Sequence, residues 1–340
     1  MSAYPLPPEV VVFGRSEVMR NLRATLEKGA HANVPILLQG ESGTGKDVLA
    51  RFVHLMSPWG SGPFVKINCP AVPAGLMESE LFGYEKGAFT GAYSSKPGRM
   101  ELANRGTLFL DEISELDFSL QSKLLEVLQD GQCCRIGGQE NTNIEARVIC
   151  ATNRRLEDEV NGGRFRQDLF YRINVIHVRV PALRERSADI PILVNYFHQA
   201  FLDRYNCRTK AVADHLLNSM MNYAWPGNIR ELENVMKRYV ILGTEEAIYA
   251  DLAPSSPSPQ GFIAPEIGPS GSVSLKEITR AAVRDVERQV ILKILQANNW
   301  NRRRAARALN ISYRALLYKM KEVAIASPHN GNGGNSHPGL

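Results

Sequence analysis

The sequence predicts an α/β domain built on a parallel sheet with helices on both faces, followed by helical modules. Three observations predict it. Between residue 9 and about residue 180, five short apolar runs alternate with helix-length segments. Beyond Pro181 the β signal stops and helical patterns take over. A glycine-rich segment, Gly40–Asp47, stands between the first run and the first of those helices.

The five runs are Pro35–Gln39, Phe64–Ile67, Thr107–Leu110, Arg147–Ala151 and Asn174–Val178, each the length of a buried strand. Lys46–Leu55 and Leu120–Leu128 read as helices between them. In the next part, Ile190–Tyr205 and Val212–Tyr223 read as helices. A third starts at Pro226-Gly227-Asn228, where Asn228 is expected to cap and Glu231, three residues on, to complete a capping box. The five prolines between 253 and 272, set among Ser and Gly, read as a linker. A compact helical segment follows, and the Gly-, Asn- and Ser-rich end reads as a disordered tail. The expected boundaries are 1–12, 13–180 for the α/β part, 181–252 for the helical part, 253–272 for the linker, 273–323 and 324–340.

Composition narrows the class. The chain has 340 residues, 44% hydrophobic and 22% charged, which suits a chain that buries a sizeable core. No run of eighteen uncharged apolar residues occurs and no signal peptide is visible, so a cytoplasmic protein without a membrane partner is expected. Five cysteines, Cys69, Cys133, Cys134, Cys150 and Cys207, show no metal-ligand spacing and read as thiols in a reducing compartment.

Gly40-Glu41-Ser42-Gly43-Thr44-Gly45-Lys46-Asp47 follows a strand and opens a helix, the context a phosphate-binding loop requires. Its glycines let backbone N–H groups turn toward phosphate oxygens, and Lys46 would reach the β- and γ-phosphates. Asp47 stands where a hydroxyl ligand to magnesium is usual. The plain alternative is a glycine turn that only joins strand to helix. A second signal favours ATP with Mg2+: Gly106–Glu112 is an apolar strand ending in two carboxylates. Asp111 would hold magnesium and Glu112 would polarise the attacking water. An acidic helix start is the alternative for that pair.

Five segments then occur in order: Gly40–Lys46, Glu80–Gly83, Gly87–Ala92, Gly106–Glu112 and Trp225–Leu232. With them the chain resembles the bacterial enhancer-binding proteins, AAA+ P-loop NTPases that activate RNA polymerase carrying sigma-54. The resemblance covers about Val12 to Leu252 and the C-terminal segment. It implies an α/β core plus an all-α lid, working as a ring oligomer, a hexamer by resemblance. It implies that Gly87, Ala88, Phe89, Thr90, Gly91 and Ala92 form a mobile loop contacting sigma-54. Asn68 matches the residue that restrains the catalytic glutamate. Thr152 and Asn153 match the first sensor of the γ-phosphate, Arg166 and Arg172 the paired arginine fingers, and Arg230 the second sensor. An acidic residue at position 47 is normal in the family. Val11–Gly14 would lie near the adenine. Relatives usually carry a sensory domain before this point. With about a dozen residues preceding Val12, the resemblance implies constitutive competence, control by a regulator in trans, or a piece of a longer chain. A chaperone-like AAA+ remodeller would share the nucleotide residues without the Gly87–Ala92 loop. A non-enzymatic regulator working with sigma-70 polymerase would have a degraded loop.

Residues 287–322 read as three helices, with Val290, Ile291, Ile294 and Leu295 inward on the first. Arg302–Leu309 forms the second, Asn310-Ile311 a tight turn, and Ser312 caps a third, Tyr313–Lys321. This resembles the Fis-type helix-turn-helix of the same family, and double-stranded DNA is the implied partner. Arg302, Arg303 and Arg304 would meet phosphates; Ser312, Tyr313, Arg314, Ala315, Tyr318 and Lys319 are the other candidate contacts. The alternative is a basic helix that only solubilises the terminus. Formal charge is +5, yet residues 302–322 hold seven basic side chains against Glu322 alone. The excess is concentrated on this module and the rest of the chain is nearly neutral.

Overall fold

A computed structural model describes residues 6–246, 248–249, 291, 294–295, 301–309 and 311–322. The expected linker and tail, Val290 and Asn310 lie outside the described residues. The chain forms two compact units, Met1–Pro254 and Ser255–Leu340. Among the described residues no helix is long and apolar enough to cross a membrane.

The first unit opens with α1 (Glu9–Phe13), α2 (Glu17–Ala30), β1 (Ile36–Gln39) and α3 (Lys46–Met56). Next come β2 (Phe64–Asn68), α4 (Ala74–Phe82), β3 (Gly83–Tyr84), β4 (Lys96–Pro97), α5 (Arg99–Leu102) and β5 (Thr107–Asp111). Then α6 (Phe118–Asp130), β6 (Gln132–Cys134), β7 (Asn141–Asn143) and β8 (Arg147–Thr152) follow. After α7 (Leu156–Asn161), α8 (Gln167–Ile173) and β9 (Ile176–Arg179), the helical part comprises α9 (Ile190–Tyr205), α10 (Asp214–Asn222) and α11 (Asn228–Leu242).

The main sheet has the order β2-β5-β8-β1-β9, with every pair parallel. Its three central strands, β5, β8 and β1, are buried along almost their whole length because both faces are covered. Alternate side chains divide between two cores. Ile36, Leu38, Phe109, Ile149 and Ala151 pack with Leu22, Leu26, Leu49 and Val53 from α2 and α3. Leu37, Leu108, Leu110, Val148 and Cys150 pack with Leu81, Phe82, Leu120, Leu124 and Leu169 from α4, α6 and α8. A parallel sheet points all its carboxyl ends the same way, so the loops after β1, β2, β5 and β8 gather on one edge.

The five strands start and end within two residues of the sequence expectation. Two small antiparallel pairs, β3–β4 and β6–β7, are additions to it. On β6, Cys133 is buried and Cys134 exposed, as neighbours on a strand must alternate.

Arg147 shows how α2 is fastened to the sheet. The side chain is 1% exposed. Its guanidinium donates to the carbonyls of Ala30 and Gly29, both at 2.6 Å, and so satisfies the end of α2. Burial alone holds its pKa below the ordinary arginine value, to about 10. Arg147→Ala leaves those carbonyls buried and unpaired. It should lower stability by about 3 kcal/mol in chemical denaturation; a loss below 1 kcal/mol would mean water replaces the guanidinium.

In the second unit, helix Arg302–Ala308 is capped by Asn301, whose Oδ1 accepts from Arg304 N at 3.2 Å. Helix Tyr313–Glu322 is capped by Ser312, whose Oγ accepts from Ala315 N at 3.1 Å. Ile291, Leu295, Ala305, Ala306, Leu316 and Met320 form its core. Arg303, Arg304, Ser312, Tyr313, Arg314 and Tyr318 are exposed; Arg302, Ala315 and Lys319 are half-buried.

Candidate functional site

Gly40–Asp47 wraps the carboxyl end of β1. Gly43 and Gly45 have φ of 78° and 95°, the region closed to most side chains. A Cβ at Gly43 would also stand 2.4 Å from the Gly227 carbonyl oxygen, so this glycine lets the helical part close onto the loop. Lys46 opens α3 and is 6% exposed. Its Nζ donates to the carbonyls of Gly40 at 2.7 Å and Glu41 at 3.3 Å, and lies 3.6 Å from Glu112 Oε1. Burial pulls the Lys46 ammonium below its ordinary pKa, and Glu112 and Asp111 oppose that.

Asp111 ends β5. Glu112 follows in the left-handed region, with φ of 56°, which turns its carboxylate back over the sheet edge. Glu112 Oε2 accepts from Asn153 N at 2.9 Å. The loop residues Ser42–Val48 line a cavity of about 260 Å3 together with Lys66, Asp111, Glu112, Ile229, Arg230 and Glu233. Arg230 Nη1 donates to Ser42 Oγ at 3.1 Å, which places Arg230 on the wall.

Two expected site residues sit differently. Thr152 lies beneath the cavity rather than on its wall. It is fully buried, and its hydroxyl donates to Ser114 Oγ at 3.0 Å and accepts from Arg154 N at 3.1 Å. Asn153, whose N–H donates to Glu112, is the exposed member of the sensor pair. Asn68 is exposed and in register with Asp111, but no hydrogen bond joins it to Glu112 among the described residues.

Arg166 and Arg172 belong to another surface. Arg166 donates to both Asp168 carboxylate oxygens, at 3.0 and 2.7 Å, and to Ser122 Oγ at 2.8 Å. Arg172 donates to the Leu128 carbonyl at 2.5 and 3.1 Å. Neither touches this chain's own glycine loop in any of these contacts. Phe118, Arg166, Gln167, Asp168 and Tyr171 line a separate open recess of about 520 Å3.

Several functional contacts escape the sequence reading. Asn228 is not a helix cap. It is fully buried with φ of 54°; its Oδ1 accepts from Leu183 N at 2.8 Å, and its Nδ2 donates to Glu41 Oε2 at 3.1 Å and Ser42 O at 3.0 Å. Gly227 is the residue before the helix, and its N–H bonds Glu231 Oε2 at 2.8 Å. Arg184 grips Glu41 through both Nη atoms. Together these donors hold the Glu41 carboxyl at about 2, well below the usual range. The buried Asp189 accepts from Arg15 N at 2.6 Å, Ser16 N at 2.9 Å and Ser16 Oγ at 2.7 Å. That pins the segment after α1, including Gly14, to the start of α9.

The loop Gly87–Ala92 closes on itself: Gly87 N bonds Ala92 O at 2.9 Å and Ala92 N bonds Phe89 O at 3.0 Å. Gly87 and Gly91 have φ of 87° and 108°, with open space around both. Phe89 is 43% exposed, its ring centroid 4.9 Å from that of Tyr84, and Thr90 is exposed. Below the loop, Arg135 bridges Glu85 at 3.0 Å and Glu101 at 2.7–2.8 Å, joining the β6 end to the loop's base.

Three family models match the chain. The Sigma-54 interaction domain matches residues 12–179, the AAA+ ATPase lid domain residues 184–261, and the Fis-family bacterial regulatory protein residues 282–322. The regulatory protein AtoC of Escherichia coli is 43% identical over 319 residues, covering 92% of this chain and 68% of AtoC. The chain belongs to the sigma-54-dependent transcriptional activators. Response regulator protein PilR of Pseudomonas aeruginosa is 39% identical, with 94% of this chain and 71% of PilR covered. Among solved structures, NtrX from Brucella abortus in complex with ATP superposes with a TM-score of 0.68 at 30% identity, covering 92% of this chain and 69% of NtrX. As a member of this activator family the chain is an AAA+ ATPase with a DNA-binding helix-turn-helix.

In this activator Asn228 supplies two of the bonds that join the glycine loop to the helical part. Asn228→Ala should raise the Kd for ATP about tenfold, the effect of losing about 1.4 kcal/mol. Equilibrium binding of a fluorescent ATP analogue measures it; an unchanged Kd would show that the loop holds its shape alone.

Proposed function

We propose that this activator uses ATP hydrolysis in a ring oligomer, a hexamer by family, to remodel closed complexes of sigma-54 RNA polymerase into open ones. Gly40–Asp47 binds the phosphates by backbone N–H groups, and Lys46 neutralises the β- and γ-phosphates. Asp111 and the neighbouring Asp47 offer the hard oxygen donors that suit Mg2+, which takes one or two carboxylates beside phosphate oxygens and water. When bound there, the ion supplies charge neutralisation on the phosphates. Glu112, steadied by Asn153 N–H, polarises the attacking water. Asn68, in register with Asp111, takes the family's place for the restraint on Glu112, which in this structure is held by Asn153 N. Arg230 senses the nucleotide from the lid. Arg166 and Arg172, turned away from their own loop, act on the nucleotide of the adjoining subunit.

One observation carries the coupling to polymerase. Phe89 and Thr90 stand out on a turn whose base shares a core with the hydrolytic strand. Leu81, Phe82 and Met100 at that base pack in the same cluster as Leu110 and Ile113, which flank Asp111 and Glu112. Movement at the carboxylates therefore has a packed route to the loop. The exposed aromatic and hydroxyl offer sigma-54 a small amphipathic contact.

Thr90→Ala tests the loop. ATP hydrolysis should stay within twofold of wild type while open-complex formation by sigma-54 polymerase falls to background. Opening that persists at wild-type level would remove the loop from the mechanism.

The basic helical unit brings the activator to upstream DNA, and Arg302–Arg304 with Ser312, Tyr313, Arg314, Ala315, Tyr318 and Lys319 form the contact face. Arg303→Ala should weaken binding to specific and random duplexes alike and reduce the salt slope by about 1. Arg314→Ala should cost about 1–3 kcal/mol on the specific site only. Equal losses on both duplexes for both variants, read by fluorescence anisotropy, would contradict the division of roles.

A further inference from the structure

Lys66 sits inside the phosphate cavity, yet no expected role in binding or hydrolysis accounts for it. It projects from β2 opposite Phe109 in the register of β2 and β5. Its ammonium is 2.9 Å from Asp111 Oδ2 and 4.0 Å from Asp47 Oδ2. The same ammonium lies 5.4 Å from the centroid of the Phe109 ring. The side chain is 33% exposed and lines the cavity with Lys46, Asp47, Asp111 and Glu112.

The two lysines of the cavity therefore divide its charge. Lys46 is held by the carbonyls of Gly40 and Glu41 and faces Glu112. Lys66 faces the two carboxylates that offer oxygen to a divalent ion. An ammonium already paired with Asp111 has to be displaced, or left as a like-charge neighbour, when such an ion arrives. Either way it lowers the affinity for the ion.

We infer that Lys66 is a built-in counter-cation of the magnesium subsite. It competes with the divalent ion for Asp111 and sets the Mg2+ concentration at which nucleotide is bound tightly. This rests on reading Asp111 as the magnesium ligand. The carboxylates stay neutralised when nucleotide is absent, and the ion is taken up only with the phosphates that outweigh the ammonium.

The test is a Mg2+ titration of the full chain with a fluorescent ADP analogue, following the metal-dependent gain in nucleotide binding rather than turnover. Lys66→Met keeps the apolar stem over Phe109 and removes the charge. The half-saturating Mg2+ concentration should fall roughly tenfold, the scale of one unit charge removed at ion-pair distance in a partly solvated site. Lys66→Arg keeps the charge and should stay within twofold of wild type. Asp111→Asn should abolish the metal-dependent gain. A half-saturation that is unchanged or higher in Lys66→Met, or an equal shift in Lys66→Arg, overturns the role of Lys66 while leaving Asp111 as the ligand. A full metal-dependent gain in Asp111→Asn overturns the Asp111 reading, and the role of Lys66 with it.

Discussion

A buried ammonium organises the nucleotide end of this activator. Lys46 is held almost out of water, so its charge has to be met by other polar groups. Two carbonyls of the glycine loop and the carboxylate of Glu112 meet it. To bring those carbonyls inward the loop must curl, which places Gly43 and Gly45 at positive φ. To bring Glu112 close, β1 and β5 must lie in one sheet with β8 between them, their carboxyl ends on the same edge. The sheet order and the loop conformation serve the same charge.

The helical part is built onto this loop by polar contacts. Glu41 points outward from the curled loop and is taken by Arg184 and Asn228, while Arg230 reaches Ser42. These bonds tie the glycine loop to lid residues more than 140 positions away along the chain. The same cavity has a second dependence. Leu110 and Ile113, beside the acidic pair, share a core with the base of the Gly87–Ala92 turn. One cluster of charges thus has a polar link to the lid and an apolar link to the protruding loop.

Much of this was legible in the sequence, and what was not has a common cause. The central strands read clearly because burial on both faces demands continuous apolar runs. The glycine loop, the carboxylates ending β5 and the Gly87–Ala92 turn read clearly because each is a local pattern whose residue types have few other uses. Asn228 looked like a helix cap because its local setting, Pro-Gly-Asn with Glu231 to follow, is that of one; its real partners lie more than 180 residues away at Glu41 and Ser42. Lys66 gave no signal, since a lysine on a strand normally reads as a solvated face. Thr152 had the right position along β8, but which hydroxyls Ser114 and Arg154 would claim depends on tertiary packing.

The claim that hydrolysis at the Lys46–Glu112 pair drives activation is tested most directly by Glu112→Gln, which keeps shape and removes charge. ATP binding and open-complex formation by sigma-54 polymerase are to be measured on the same preparation. The account predicts ATP affinity within about threefold of wild type, since the phosphates are held by the loop, with hydrolysis reduced at least about a hundredfold and no open complexes. Open complexes formed by Glu112→Gln at the wild-type level would contradict it.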